Sequence, residues 1–80
     1  MARLTTKLAI KNSVHVLRAK KRISQQELAD AIGVTRATVN AIEGRSYNPS
    51  LELAFRLALF FDVGVEEIFS VEGGDHEKRR

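Results

Sequence analysis

Between Gln25 and Gly44 the chain reads QQELADAIGVTRATVNAIEG, two short runs of helical periodicity that meet at a single glycine, Gly33, between Ile32 and Val34. Leu28, Ala29 and Ile32 share one face of the first run, and Val34, Val39 and Ile42 share one face of the second, at the three- and four-residue spacing of helices. Neither stripe can be buried alone, so both must close on one core. Two helices crossing at roughly 90 to 120° through a tight turn bring their backbones close. This gives the small side chain of Ala29 its purpose. A turn this short ends the first helix in the left-handed backbone region, which glycine enters without steric cost. The pattern is that of a helix-turn-helix, and it leaves its second helix facing outward.

The second helix, from Thr35 or Arg36 to Glu43, offers Arg36, Ala37, Thr38, Asn40 and Ala41 on the side that its apolar stripe leaves free. A helix has the width of the DNA major groove, and its leading turn is where side chains reach base edges. Thr35 is placed to cap this helix, which puts Arg36 first and Thr38 third. Thr35 and Arg45, at the two ends of the helix, join the set expected to face DNA. The residues thus point to a DNA-binding protein and a transcriptional regulator.

Eighty residues make one domain with a small core, which dimerisation would help to stabilise. Thirteen Lys and Arg against ten Asp and Glu give a net charge of +3 and a pI near 9.7, a mild bias toward polyanions. There is no cysteine, so disulfide scaffolds and cysteine-based zinc sites are excluded. No stretch approaches the roughly 20 apolar residues of a membrane span, and no hydrophobic signal region opens the chain. A cytoplasmic protein without membrane association is expected.

The chain divides into an extension over 1–11, a DNA-binding domain over 12–71 and a polar tail over 72–80. The run Arg3 to Ile10 alternates in the manner of an edge strand, to be paired with a second copy of itself. It reads equally as a frayed terminus, and behind these two stands a basic arm carrying Arg3 and Lys7 to the DNA backbone. A first helix starts at Asn12 or Ser13 and runs to Lys21, with Val14, Leu17 and Ile10 inward. Ser24 and Glu27 form a capping box that opens the second helix. Gln25 then falls in a first turn whose free amides suit a phosphate oxygen, and it is the expected phosphate ligand. After the RSYNPS loop, Ser50 caps a helix to Phe61 whose inward stripe is Leu51, Ala54, Leu57, Ala58 and Phe61. That leaves Phe55, Leu59 and Phe60 without cover. Val65 to Phe69 forms a short last helix, and the tail EGGDHEKRR is expected to be disordered.

Nothing in the sequence assembles an enzyme, and no cofactor is implied. His15 reads as a helix residue, and His76 has no companions for a metal. Ser, His and Asp fall in no triad pattern, and no phosphate-cradling glycine loop is present.

The segment LRAKKRISQQELADAIGVTRATVNAIEGRSYNPSLELAFRLALFFDVGVEEIF, Leu17 to Phe69, closely resembles the Cro and phage-repressor-like helix-turn-helix family, the XRE type. Within it, the runs YNPSLELA and VEEIF resemble those of very small stand-alone bacterial and archaeal regulators. The resemblance implies an all-α, five-helix, lambda-repressor-like domain that binds double-stranded DNA as a two-fold dimer on a palindromic operator. It implies an ion pair between Arg18 and Glu43 that holds the fold, and base contacts from Arg36, Ala37 and Ala41, with Thr38 and Asn40 close to bases or backbone. The family often has glutamine where this chain has Ala37, which leaves Arg36 as the main hydrogen-bonding reader. It often has glycine at the positions of Arg22 and Asp62, so strain is expected at both turns, and a capping serine at the position of Gly64.

The leading reading is a homodimeric repressor, its interface drawn from Phe55, Leu59, Phe69 and Val71 on the last two helices. The alternative is the antitoxin of a toxin-antitoxin pair, which binds a protein partner through the same apolar residues as well as its operator. A third class is a scaffold that has lost DNA binding, for which no salt-dependent affinity for DNA is expected.

Overall fold

The computed structural model describes residues 7–72. Arg3, His76 and the tail beyond Glu72 lie outside the described residues. The elements follow the order β1 (Ile10–Asn12), α1 (Val14–Lys21), α2 (Gln25–Ile32), α3 (Arg36–Glu43), α4 (Leu51–Phe61), α5 (Val65–Ile68) and β2 (Phe69–Val71).

Side-chain caps set the helix starts. At α2, Ser24 Oγ accepts the Glu27 amide at 3.0 Å, and Glu27 Oε1 accepts the Ser24 amide at 2.8 Å, a complete capping box. Ser50 Oγ caps α4 through the Leu53 amide at 3.2 Å. At α1 the two candidate caps divide the work. Asn12 Oδ1 accepts the Val14 amide at 3.0 Å while Asn12 Nδ2 donates to the Ile42 carbonyl at 2.9 Å. One side-chain amide therefore opens α1 and fastens the end of α3. Ser13 turns its hydroxyl to the Glu67 carbonyl instead.

The helix ends carry the expected strain. Gly33 closes α2 at φ 78°, where a side chain would be penalised. Arg22 at φ 57° and Asp62 at φ 58° close α1 and α4 in the same left-handed region without that freedom.

Leu28, Ala29 and Ile32 of α2 meet Val39 and Ile42 of α3 in the core, joined by Val14, by Leu53, Leu57, Ala58 and Phe61 of α4, and by Ile68. No polar or charged residue is buried among the described residues. The expected stripe of α4 is corrected at its start, since Leu51 is 72% exposed and Leu53 is buried in its place. A helix that is apolar around most of its girth offers several adjoining stripes to periodicity, and packing against α2 selects the one running through Leu53 and Leu57. Phe60 is not left bare either. It lies half-buried with its ring edge-on to Phe61, centroids 5.1 Å apart, and the Lys21 ammonium sits 5.3 Å from its centroid.

The strand differs in place and partner from the expectation. It lies at Ile10–Asn12 and pairs antiparallel with β2 of the same chain, Ile10 opposite Val71 and Asn12 opposite Phe69. The Glu72 amide reaches the Ala9 carbonyl at 2.8 Å beyond one end of this ladder, and the Ser13 amide reaches the Ile68 carbonyl at 3.0 Å beyond the other. The last helix accordingly stops at Ile68. Phe69 turns extended and lays its ring against the core.

Candidate nucleic-acid interface

The exposed helix is built by its cap. Thr35 is extended, its Oγ1 accepts the Thr38 amide at 3.2 Å, and the two hydroxyls lie 3.0 Å apart. Arg36 therefore begins α3, with its side chain in solvent. Val39 and Ile42 hold the inner face with 1% exposure each, which turns the opposite face outward. That face presents Arg36, Ala37 and Asn40 fully, with Thr38 and Ala41 at its half-buried edges. It offers a fixed cation, a methyl surface and a carboxamide, the chemistry with which guanine, thymine and adenine edges are met in the major groove.

Behind this face three helices are tied by one polar network. The Arg18 guanidinium forks onto Glu43, Nε to Oε2 at 2.7 Å and Nη2 to Oε1 at 3.2 Å, while Nη1 reaches the Ile23 carbonyl at 2.9 Å. Gln25 Nε2 donates to Glu43 Oε1 at 3.0 Å and to Asn40 Oδ1 at 3.3 Å. Burial pushes the Glu43 carboxyl up, but hydrogen bonds from Arg18 and Gln25, with the charges of Arg18 and His15, outweigh it and hold the group below the usual carboxylate range. The bond to Glu43 raises Arg18 in turn, against the opposing effect of burial.

The expected DNA-facing residues are thus brought together unevenly. Arg36, Ala37 and Asn40 share an open face. Gln25 stands at the head of α2, but its side-chain N–H groups are engaged within the protein. Arg45, at φ 64°, points toward the strands, donating through Nε to the Ile10 carbonyl at 3.2 Å and pairing with Glu72. Its bond holds the Glu72 carboxyl below its ordinary range.

The four residues expected at a dimer interface are split. Phe55 and Leu59 are 52% and 81% exposed on α4, where they continue from Leu51 as an apolar ridge at four-residue spacing. Phe69 and Val71 are half-buried in β2 rather than placed on a helix. Beside the ridge lies a groove of about 330 Å³ lined by Ile10, Pro49, Leu51, Ala54, Val65 and Phe69.

Two contributors escaped sequence reasoning. Leu51 extends the ridge, and the spacing of Leu51, Phe55 and Leu59 was the available signal. Arg56 donates to the Ile32 carbonyl at 3.0 Å, satisfying the end of α2 beside Gly33, and also pairs with Glu52 on its own helix. Its i, i+4 partner was visible in the sequence, but its reach across to α2 was not.

An exposed, capped second helix crossing a first one at a glycine turn is the DNA-binding unit of transcriptional regulators, and comparison with known proteins agrees. Residues 15–68 match the Helix-turn-helix family, and the chain belongs to it. An HTH-type transcriptional regulator of Methanocaldococcus jannaschii is 46% identical over 63 residues, covering 79% of this chain and 96% of that one. The transcriptional repressor RstR of the cryptic phage CTXphi in Vibrio cholerae is 34% identical over 59 residues, 74% of this chain and 53% of RstR. Among solved structures, the restriction-modification controller protein C.AhdI from Aeromonas hydrophila matches with a TM-score of 0.63 at 33% identity, over 68% of this chain and 78% of that one. The family is one of DNA-binding regulators and not of enzymes. No helix among the described residues is long and apolar enough to cross a membrane.

Proposed function

We propose that this protein is a cytoplasmic, homodimeric repressor that lays α3 of each copy into the major groove of a palindromic operator. The observation that carries the reading is the division of α3, with Val39 and Ile42 buried and Arg36, Ala37 and Asn40 in solvent. Arg36 reads guanine through O6 and N7, and Ala37 and Ala41 meet thymine methyl groups. Thr38, Thr35 and the first-turn amides of α2 lie close to the sugar-phosphate backbone, where helix N-termini favour anions. Dimerisation covers the Leu51, Phe55 and Leu59 ridge, a contiguous apolar surface that a lone domain of this size leaves in water. A two-fold pair then sets its half-sites roughly one helical turn apart. The name of RstR supports repression over activation.

Selection of bound sequences from a random duplex pool, followed by titration at several salt concentrations, tests the reading. A palindromic consensus and an affinity that falls steeply with salt are the expected results. Salt-independent or absent binding defeats it. Light scattering on the same sample distinguishes a dimer from a monomer that needs a co-expressed protein, the behaviour of an antitoxin.

A further inference from the structure

The apolar ridge on α4 and the groove beside it lie toward opposite ends of one helix. The groove takes its α4 lining from Leu51 and Ala54 in the first turn, and its other walls are Pro49, Ile10 of β1, Val65 of α5 and Phe69. Among the described residues Asn48 is the one polar group in that lining. The ridge climbs the other way, from Leu51 through Phe55 at 52% exposure to Leu59 at 81%, two turns further on. A knob at one end and a hole at the other make a surface that complements itself. Two-fold pairing suits such a patch, because the axis repeats every contact with the roles exchanged.

Size argues that knob and hole are used together. Three side chains of this exposure make a patch of roughly 400 Å², of the order that ordinary monomers carry. A standard interface takes roughly 800 Å² from each partner. Ile10, Pro49, Val65 and Phe69 adjoin the ridge half-buried, and their remaining surface is covered only when the groove is filled. Charge fixes the direction. Glu52 and Arg56 border the other flank of the ridge one turn apart, with side chains 76% and 48% exposed. Parallel helices would set Glu52 against Glu52 and Arg56 against Arg56, whereas antiparallel helices set each against its opposite.

We infer that the groove receives Leu59 of a second copy, with the two α4 helices crossing antiparallel and Phe55 nearest the two-fold axis. About that axis Leu59 of one copy lies opposite Leu51 of the other, at the mouth of the groove. β1 and α5 thereby become parts of the interface, and its charge order selects this same chain over an unlike protein. The inference deepens the homodimer reading and rests on it.

The chain has no cysteine, so introduced thiols report the pairing directly. Full-length Phe55→Cys, Leu59→Cys and Val65→Cys are oxidised mildly, singly and as an equimolar mixture of the last two, with light scattering on the wild type. Phe55→Cys is expected to link to itself, and the mixture to give linked heterodimer at least about tenfold faster than random collision, since thiols held in one complex meet at an effective concentration near millimolar. Leu59→Cys alone is expected to stay unlinked, because two copies of residue 59 lie about 12 Å apart along the helices, beyond a disulfide's reach. Ile10→Cys, also lining the groove, replaces Val65→Cys should that variant lose its helical circular dichroism. Mixing Glu52→Arg with Arg56→Glu is expected to give heterodimers in about threefold excess over the statistical mixture. Self-linking of Leu59→Cys without linking in the mixture means parallel helices and overturns the proposal. If the wild type is a dimer and none of these thiols link, the proposal fails and the homodimer reading survives on another face. If the wild type is a monomer, both fail.

Discussion

Replacing Arg18 with alanine removes three donors at once, two to Glu43 and one to the Ile23 carbonyl. The side chain of Glu43 is only 9% exposed, against 22% for Arg18, so water cannot fully take over the vacated role. Stranding one partner of a fully buried pair costs about 3 to 5 kcal/mol. A single hydrogen bond to a charged group is worth about 1.5 to 3 kcal/mol. Partial exposure and the surviving bond from Gln25 put Arg18→Ala at about 2 to 3 kcal/mol between those bounds. In a domain of this size that lowers the melting temperature by about 10 to 20 °C. Thermal and urea denaturation followed by circular dichroism measure it, at equal protein concentration because association shifts apparent stability. The pH dependence is diagnostic. In the wild type the Glu43 carboxyl is depressed, so its contribution is complete above the ordinary carboxylate value of about 4.3 and is lost as pH falls through the folded-state value. Without Arg18, burial makes Glu43 easier to protonate, so the gap between variant and wild type narrows on acidification. Replacing both partners, Arg18→Met with Glu43→Leu, recovers most of the loss. A melt of Arg18→Ala within a degree or two of wild type, with a gap indifferent to pH, would refute the reasoning.

Other perturbations separate the face proposed to meet DNA from the frame behind it. Arg36→Ala should cost about 1 to 3 kcal/mol on the selected operator and relax preference at one base pair, as read by titration against specific and random duplexes; equal loss on both assigns Arg36 to phosphate. Arg22→Gly relieves a left-handed arginine at φ 57° and should stabilise by about 0.5 to 1 kcal/mol. A higher melting point with unchanged DNA affinity checks it, and Asp62→Gly should gain less because aspartate tolerates that region better. Leu59→Glu charges a side chain that is 81% exposed, so it should convert the proposed dimer to monomers in light scattering while leaving the helical circular dichroism intact.

What the sequence made legible was local. Gly33, the Ser24 and Glu27 capping box and the Thr35 cap each depend on neighbours within a few residues, and the structure holds them as read, while the strain at Arg22 and Asp62 was implied by the family resemblance. The apolar stripe of α3 was equally plain because polar residues frame it on both sides. Long-range choices were hidden. Strands of three residues carry too little alternation to be seen, and Phe69 reads as the end of a helix until Asn12 is known to lie opposite it. On α4 the surplus of apolar residues left Leu51 and Leu53 interchangeable to periodicity, and only the neighbouring α2 decides between them. Gln25 suits a phosphate by its place in the helix, while its actual bonds go to side chains fifteen and eighteen positions away.

The antiparallel ladder also determines how the domain responds to load. Ala9 and Glu72 emerge side by side at its outer end, so tension between the two emerging strands falls on their single bond first and on the Ser13 to Ile68 bond last. The seam unzips stepwise instead of shearing as a unit. Once it has opened past Asn12, the clasp on the Ile42 carbonyl goes with it, and a tug on the ends is felt at the back of α3.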